Sequence, residues 1–147
     1  MNKVKLYTIG FTKKNAEKFF TTLKSNKITK LIDIRLNNVS QLAGFAKRDD
    51  LIFFLKEICQ INYKHILGFA PTEEILNGYK KQEITWESYV SRFSNLLEER
   101  KIENILTRNE LDNACLLCSE STAEQCHRRL VAEYLKKKLG DIEIRHL

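Results

Sequence analysis

Proline is nearly absent from this sequence: Pro71 is the only one among 147 residues, which also hold just five glycines, one methionine and one tryptophan. With so few chain breakers, no flexible linker divides the chain, and neither a low-complexity run nor a solenoid-period repeat is present. One domain with one core, covering 1–147, is therefore expected. No apolar run approaches the roughly 20 residues of a membrane span, and the opening MNKVKLYTIGFTKKN lacks the apolar stretch of a secretory signal. The reading is a cytoplasmic protein with no membrane partner. Cysteines are few as well. Cys59, Cys115, Cys118 and Cys126, without an export signal, read as reduced thiols rather than a disulfide framework.

What is present describes a folded protein. Hydrophobic residues make up 43% and charged residues 30%, which excludes a disordered chain. Lys and Arg outnumber Asp and Glu by 25 to 19, giving +6, which mildly favours anionic partners. Runs such as Lys136-Lys137-Lys138 fit a solvated helix face as well as a recognition surface. Aromatic and basic residues do not interleave in the manner that stacks on bases. A small anionic substrate is thus the leading partner, with nucleic acid as a second possibility and the oligomeric state left open.

Apolar runs alternate with helical patterns. VKLYTI (4–9), KLIDIR (30–35), INYKHI (61–66), ACLLC (114–118) and IEIRHL (142–147) read as strands. Ala16, Phe19, Phe20 and Leu23 recur at helical spacing, as do Leu51, Phe54, Leu55 and Ile58. Residues 36–47 between these read as an irregular loop. A short helix is expected to start near Pro71 and Thr72, and the longest helical pattern runs from Thr85 to about Leu106. Ser121 with Glu124, or Thr122 with Gln125, fits a capping box opening a last helix that ends at Gly140. Strand and helix in alternation predict an α/β fold, a single-domain three-layer sandwich with a mainly parallel sheet. In such sheets ligands bind beyond the carboxyl ends of the strands. Gly10, Thr12, Asp33, Arg35, His65, Cys118, Glu120 and His146 all fall at those ends.

LLCSESTAEQCHRRLVAEYL (116–135) concentrates the reactive side chains. With Thr122 as cap, Cys126 would lie in the first helical turn, where free amides and the helix dipole favour a thiolate beside His127, Arg128 and Arg129. Cys118 would face the same helix start, and Glu120 would serve as acid, base or arginine partner. Each has a plainer role. Cys59, Cys115 and Cys118 suit a core, and Cys126 and His127 continue the stripe of Leu130, Val131, Tyr134 and Leu135. Arg128 stands four residues after Glu124 and Arg129 four before Glu133, the spacing of surface ion pairs. Asp33, near Arg35 in a buried strand, needs a partner or a role. Cys115 and Cys118 spell C-x-x-C, but strand residues three apart face opposite sides. Zinc would need two more ligands near Cys118, Cys126 and His127, and no second close Cys or His pair exists, so neither metal nor other cofactor is expected. Phosphate-loop and C-x5-R signatures are also missing.

YTIGFTKKN, LIDIRLNNVSQLAGFAK, YKHILGFAPTEEI and above all LLCSESTAEQCHRRLVAEYL resemble the bacterial and archaeal family called domain of unknown function 488, in order and over nearly the whole chain. The resemblance implies an α/β fold. It also implies that Gly10, Asp33, Arg35, His65, Cys118, Glu120, Cys126, His127 and Arg128 occupy the family's motif positions. Phe11 and Thr12 stand where the first motif usually reads His-Ser, and Asn37-Asn38-Val39 where a proline usually follows the arginine.

The function expected is a cysteine-dependent enzyme acting on a phosphate-, nucleotide- or sulfur-bearing substrate. Cys118, Glu120, Cys126 and His127 would be catalytic. Gly10, Thr12, Arg35 and Arg128 would bind the anion, and Asp33 and His65 would support them. The alternatives are a nucleic-acid-binding module with structural cysteines and a protein-interaction domain with a vestigial site.

Overall fold

The computed structural model describes residues 3–39, 44–120 and 122–147. Five strands form one sheet in the order β3-β2-β4-β1-β5: β1 (Val4–Gly10), β2 (Lys30–Asp33), β3 (Asn62–His65), β4 (Ala114–Cys118) and β5 (Ile142–His146). Every pairing is parallel. The central strands are covered on both faces and are accordingly almost wholly apolar, as ACLLC shows, whereas the edge strand NYKH alternates exposed and half-buried residues.

Right-handed crossovers dictate which face each helix covers. The chain steps from β1 to β2 to β3 towards one edge, which lays α1 (Ala16–Ser25) and α2 (Arg48–Phe54) on one face. Phe19, Phe20, Leu23, Leu51 and Leu55 pack there against Tyr7, Ile9, Leu31 and Cys115. It then steps back towards β5, placing α3 (Glu73–Lys80), α4 (Trp86–Arg100), α5 (Arg108–Leu111) and α6 (His127–Leu139) on the other. Phe93, Leu97, Val131 and Leu135 bury against Leu6, Ile32, Ile34 and Leu116. Each such side chain contributes about 1.5–3 kcal/mol on burial. Cys115 and Cys118 fall in opposite cores, as strand alternation requires. Among the described residues no helix is long and apolar enough to cross a membrane.

Two helix boundaries differ from the sequence reading. The pattern from Thr85 to Leu106 is not one helix: α4 stops where Lys101 adopts φ 50°, and a short 3-10 turn, Ile102–Asn104, follows. A left-handed residue ends a helix by turning its last carbonyls to new donors, while Ile102 and Leu106 go on burying apolar surface beyond the break. More consequentially, α6 starts at His127, and its cap is Cys126 rather than Thr122. The capping-box residues at 122–125 form a bend and a turn, and Ser121 lies outside the described residues, as do positions 40–43 of the expected loop.

The order of strands positions the site. β4 lies between β2 and β1, whose chains leave towards α1 and α2, whereas β4 leaves towards α6. Exits diverging to opposite faces open a crevice at the carboxyl end of β4, the usual ligand position in open parallel sheets. The segment after Cys118 folds back over β1. Thr12 N–H donates to the Ser119 carbonyl (3.0 Å), and the Glu120 carbonyl oxygen would lie 1.6 Å from a Cβ at Gly10. Only glycine permits that approach. Gly10→Ala is expected to destabilise the fold by about 1–3 kcal/mol or more, whereas Gly44→Ala, which meets nothing within 4 Å, leaves it within ±0.5 kcal/mol. Urea midpoints of the two variants check the contrast.

Candidate functional site

The site begins with a buried carboxylate. Asp33 is fully buried at the end of β2, where unpaired charge would cost several kcal/mol. Its Oδ1 accepts from Arg35 Nε (2.8 Å) and the Arg35 amide (3.1 Å), and its Oδ2 accepts from Arg35 Nη2 (2.8 Å) and the Tyr63 hydroxyl (2.6 Å). The two-pronged ion pair fixes the guanidinium plane. Burial, reinforced by the bond to Asp33, raises the Tyr63 pKa and keeps its hydroxyl a donor. Asn38 Nδ2 donates to the same hydroxyl oxygen (2.9 Å). Arg35 Nη1 is buried without a hydrogen-bond partner.

Two histidines hold the β2 exit. His65 Nε2 lies 2.8 Å from the Arg35 carbonyl and His127 Nε2 2.7 Å from the Ile34 carbonyl. A carbonyl only accepts, so each Nε2 carries the proton and Nδ1 the lone pair when the ring is neutral. Burial lowers the His127 pKa to about 4, only partly opposed by the Ile34 carbonyl and the charge of Asp33. At neutral pH this ring is therefore a neutral imidazole rather than an imidazolium.

Cys118 ends β4, and Cys126 caps α6 with its sulfur accepting from the Arg128 amide (3.5 Å). That places the Cys126 sulfur at the positive end of a 13-residue helix, a position that favours thiolate. Cys118 and Cys126 are joined through their sulfurs, their Cα atoms 7.8 Å apart. The expectation of separate thiols thus holds for Cys59 and Cys115 but not for this pair. Cys115 is inert by environment, because burial raises its pKa.

These groups meet at one cleft of about 670 Å³, lined by Arg35, Cys118, Glu120, Cys126 and His127. Its further wall is aromatic, with Trp86 stacked on Tyr89 at 5.1 Å and the Tyr79 hydroxyl donating to Gln125 Oε1 (2.9 Å). Sequence reasoning missed this wall, since Trp86, Tyr89 and Phe93 carry the same spacing as any core-facing helix stripe. The other expected site residues stand behind the cleft. Asp33 bonds to the Arg35 guanidinium and His65 to the Arg35 carbonyl. Gly10 and the exposed Thr12 underlie the Ser119–Glu120 backbone.

Arg128 corrects two expectations. It is 1% exposed, and neither its Nε nor its Nη1 has a hydrogen-bond partner. It forms no ion pair with Glu124 and does not line the cleft; it lies beside Gly10 instead, since Nη1 would be 3.2 Å from a Cβ there. Arg129 makes the expected pair with Glu133 (3.8 Å). The fold brings donor atoms of Cys118, Cys126 and His127 within 4.8 Å of one another, the three residues beside which the sequence offered no further close ligand pair.

The Asp33 network should dominate local stability. Asp33→Asn strands the buried Arg35 charge and is expected to cost about 3–5 kcal/mol. Tyr63→Phe removes one bond to a charged acceptor and should cost about 1.5–3 kcal/mol. Denaturant titration of both variants tests the ranking.

No curated protein and no solved structure matches the chain. The family model called domain of unknown function DUF488 matches residues 15–135, a span that contains Asp33, Arg35, His65 and the whole Cys118-to-Arg128 segment. The chain belongs to the DUF488 family.

Proposed function

We propose that this protein is a cysteine-dependent enzyme acting on a small anionic substrate, phosphate-, nucleotide- or sulfur-bearing, in the cleft at the carboxyl edge of the sheet. One observation carries the reading: Cys118, Cys126 and His127 face the same cleft as Arg35, whose Nη1 has no partner. An unspent guanidinium edge held rigid by Asp33 suits an anionic oxygen. The positive end of α6 adds to the attraction.

Cys126 is the thiol favoured for chemistry, because it alone caps the helix and accepts an amide hydrogen bond in its sulfur. Exchange with an external dithiol, which leaves as its own disulfide, converts the Cys118–Cys126 pair to two thiols and frees the nucleophile. Glu120, exposed at the cleft rim, can exchange protons with solvent. His127, neutral at physiological pH, accepts a proton or orients the thiol rather than donating. The aromatic wall accommodates the less polar part of the substrate.

The test is the pH dependence of alkylation on reduced, chelator-treated protein, with peptides identified by mass spectrometry. Cys126 is expected to react with an apparent pKa below the ordinary value of about 8.5, and inorganic phosphate should slow that reaction. Cys115, buried with a raised pKa, should react only on unfolding. Silence of both Cys118 and Cys126 until the protein unfolds would remove the basis of the reading.

A further inference from the structure

The geometry points to a metal centre: we propose that, with the sulfur pair reduced to two thiolates, Cys118, Cys126 and His127 bind a zinc-class cation as three protein ligands, leaving a fourth position open to the cleft. The inference rests on the reading above for the site and deepens it by naming the group that the cysteines serve.

The first observation is convergence. Donor atoms from a strand end and from a helix start, in residues eight and nine positions apart, lie within 4.8 Å of one another. Zinc ligands at about 2.3 Å for sulfur and 2.0–2.1 Å for nitrogen stand roughly 3.5–3.8 Å apart around a tetrahedron, so small side-chain movements suffice. The second is backbone spacing. The Cα atoms of Cys118 and Cys126 are 7.8 Å apart, wider than the roughly 4.4–6.8 Å usual for a disulfide. A cation between the sulfurs fits that spacing without moving the strand or the helix.

The third observation is the support behind the ligands. His127 Nε2 is committed to the Ile34 carbonyl at 2.7 Å. Such an outer contact is what a metal-binding histidine usually has, because it fixes the tautomer and leaves the other nitrogen its lone pair. The Arg128 amide plays the same part for the Cys126 sulfur. Two thiolates and an imidazole form a soft donor set that selects zinc over magnesium or calcium. Three protein ligands with an open position are the pattern of reactive rather than structural zinc sites. All three residues line the cleft together with Arg35, so the open position would face the substrate. Cysteine dependence would then follow from metal binding as well as from free thiolate.

Reduced full-length protein, stripped with a chelator and reloaded with cobalt(II) or zinc, tests this. One metal per chain is expected after desalting, with a thiolate-to-cobalt charge-transfer band and the visible absorption of tetrahedral cobalt. Cys59→Ser should bind as wild type. Cys118→Ser and Cys126→Ser should each raise the Kd by at least about tenfold. Should a variant fail to fold, the wild type still decides, since zinc must protect Cys118 and Cys126 from alkylation while Cys59 remains unprotected. Less than stoichiometric metal, or an unchanged cobalt spectrum in the Cys118→Ser, Cys126→Ser double variant, overturns the metal centre. Absent metal with a fast-reacting Cys126 overturns this inference alone and leaves the enzyme reading standing. Absent metal with both thiols silent overturns the two together.

Discussion

A carboxylate with no exposure to water governs how this molecule is built. Asp33 accepts four hydrogen bonds, three of them from Arg35 and one from Tyr63. A buried charge is tolerable only when its partners are supplied so completely. The consequence spreads outward: the guanidinium is clamped, β2 turns at Ile34 and Arg35, and the carbonyls of those two residues become acceptors for His127 and His65. The start of α6 and the end of β3 are thereby tied to the same two peptide groups. Arg35 and His127 thus line the cleft beside Cys118 and Cys126 in positions fixed, directly or through the β2 exit, by one anion in the core.

A second constraint comes from main-chain packing. The β4–α6 connection presses its backbone onto Gly10 and hydrogen-bonds to Thr12, which holds Cys118 and Cys126 within reach of each other. Arg128 lies beneath this crossing without side-chain hydrogen bonds at Nε or Nη1. Its backbone amide serves the Cys126 sulfur while its side chain fills the space beside Gly10. One residue thus supports the reactive segment through both its main chain and its bulk.

Much of this was legible in the sequence because the signals were local. The central strands are short apolar runs, the α1 stripe of Phe19, Phe20 and Leu23 is helical in period, and α3 opens just after Pro71 and Thr72, where a proline suits the first turn. The C-x-x-C pair was correctly dismissed, since strand alternation alone decides it. What escaped depends on distance in sequence. Nothing local tells β4 to insert between β1 and β2, so the neighbours of Cys118 could not be ranked. The start of α6 was misplaced because two capping-box spacings outweighed a cysteine, a residue whose side chain seldom caps a helix. Tyr63, the hydroxyl that completes the Asp33 shell, looks like any strand tyrosine, and the sequence, which does group Cys118, Cys126 and His127, holds no measure of how closely their donor atoms converge.

The single tryptophan of the chain stands in the cleft wall, stacked on Tyr89 with the Arg129 guanidinium 6.0 Å from its ring. Indole emission from this protein therefore originates wholly at the site, with no second fluorophore of its kind elsewhere to dilute it. The molecule carries its own optical label, placed where occupancy of the cleft, release of the sulfur pair or displacement of the neighbouring guanidinium changes the polarity around one ring. Ligand screening can begin on the unmodified chain, before any reaction is known.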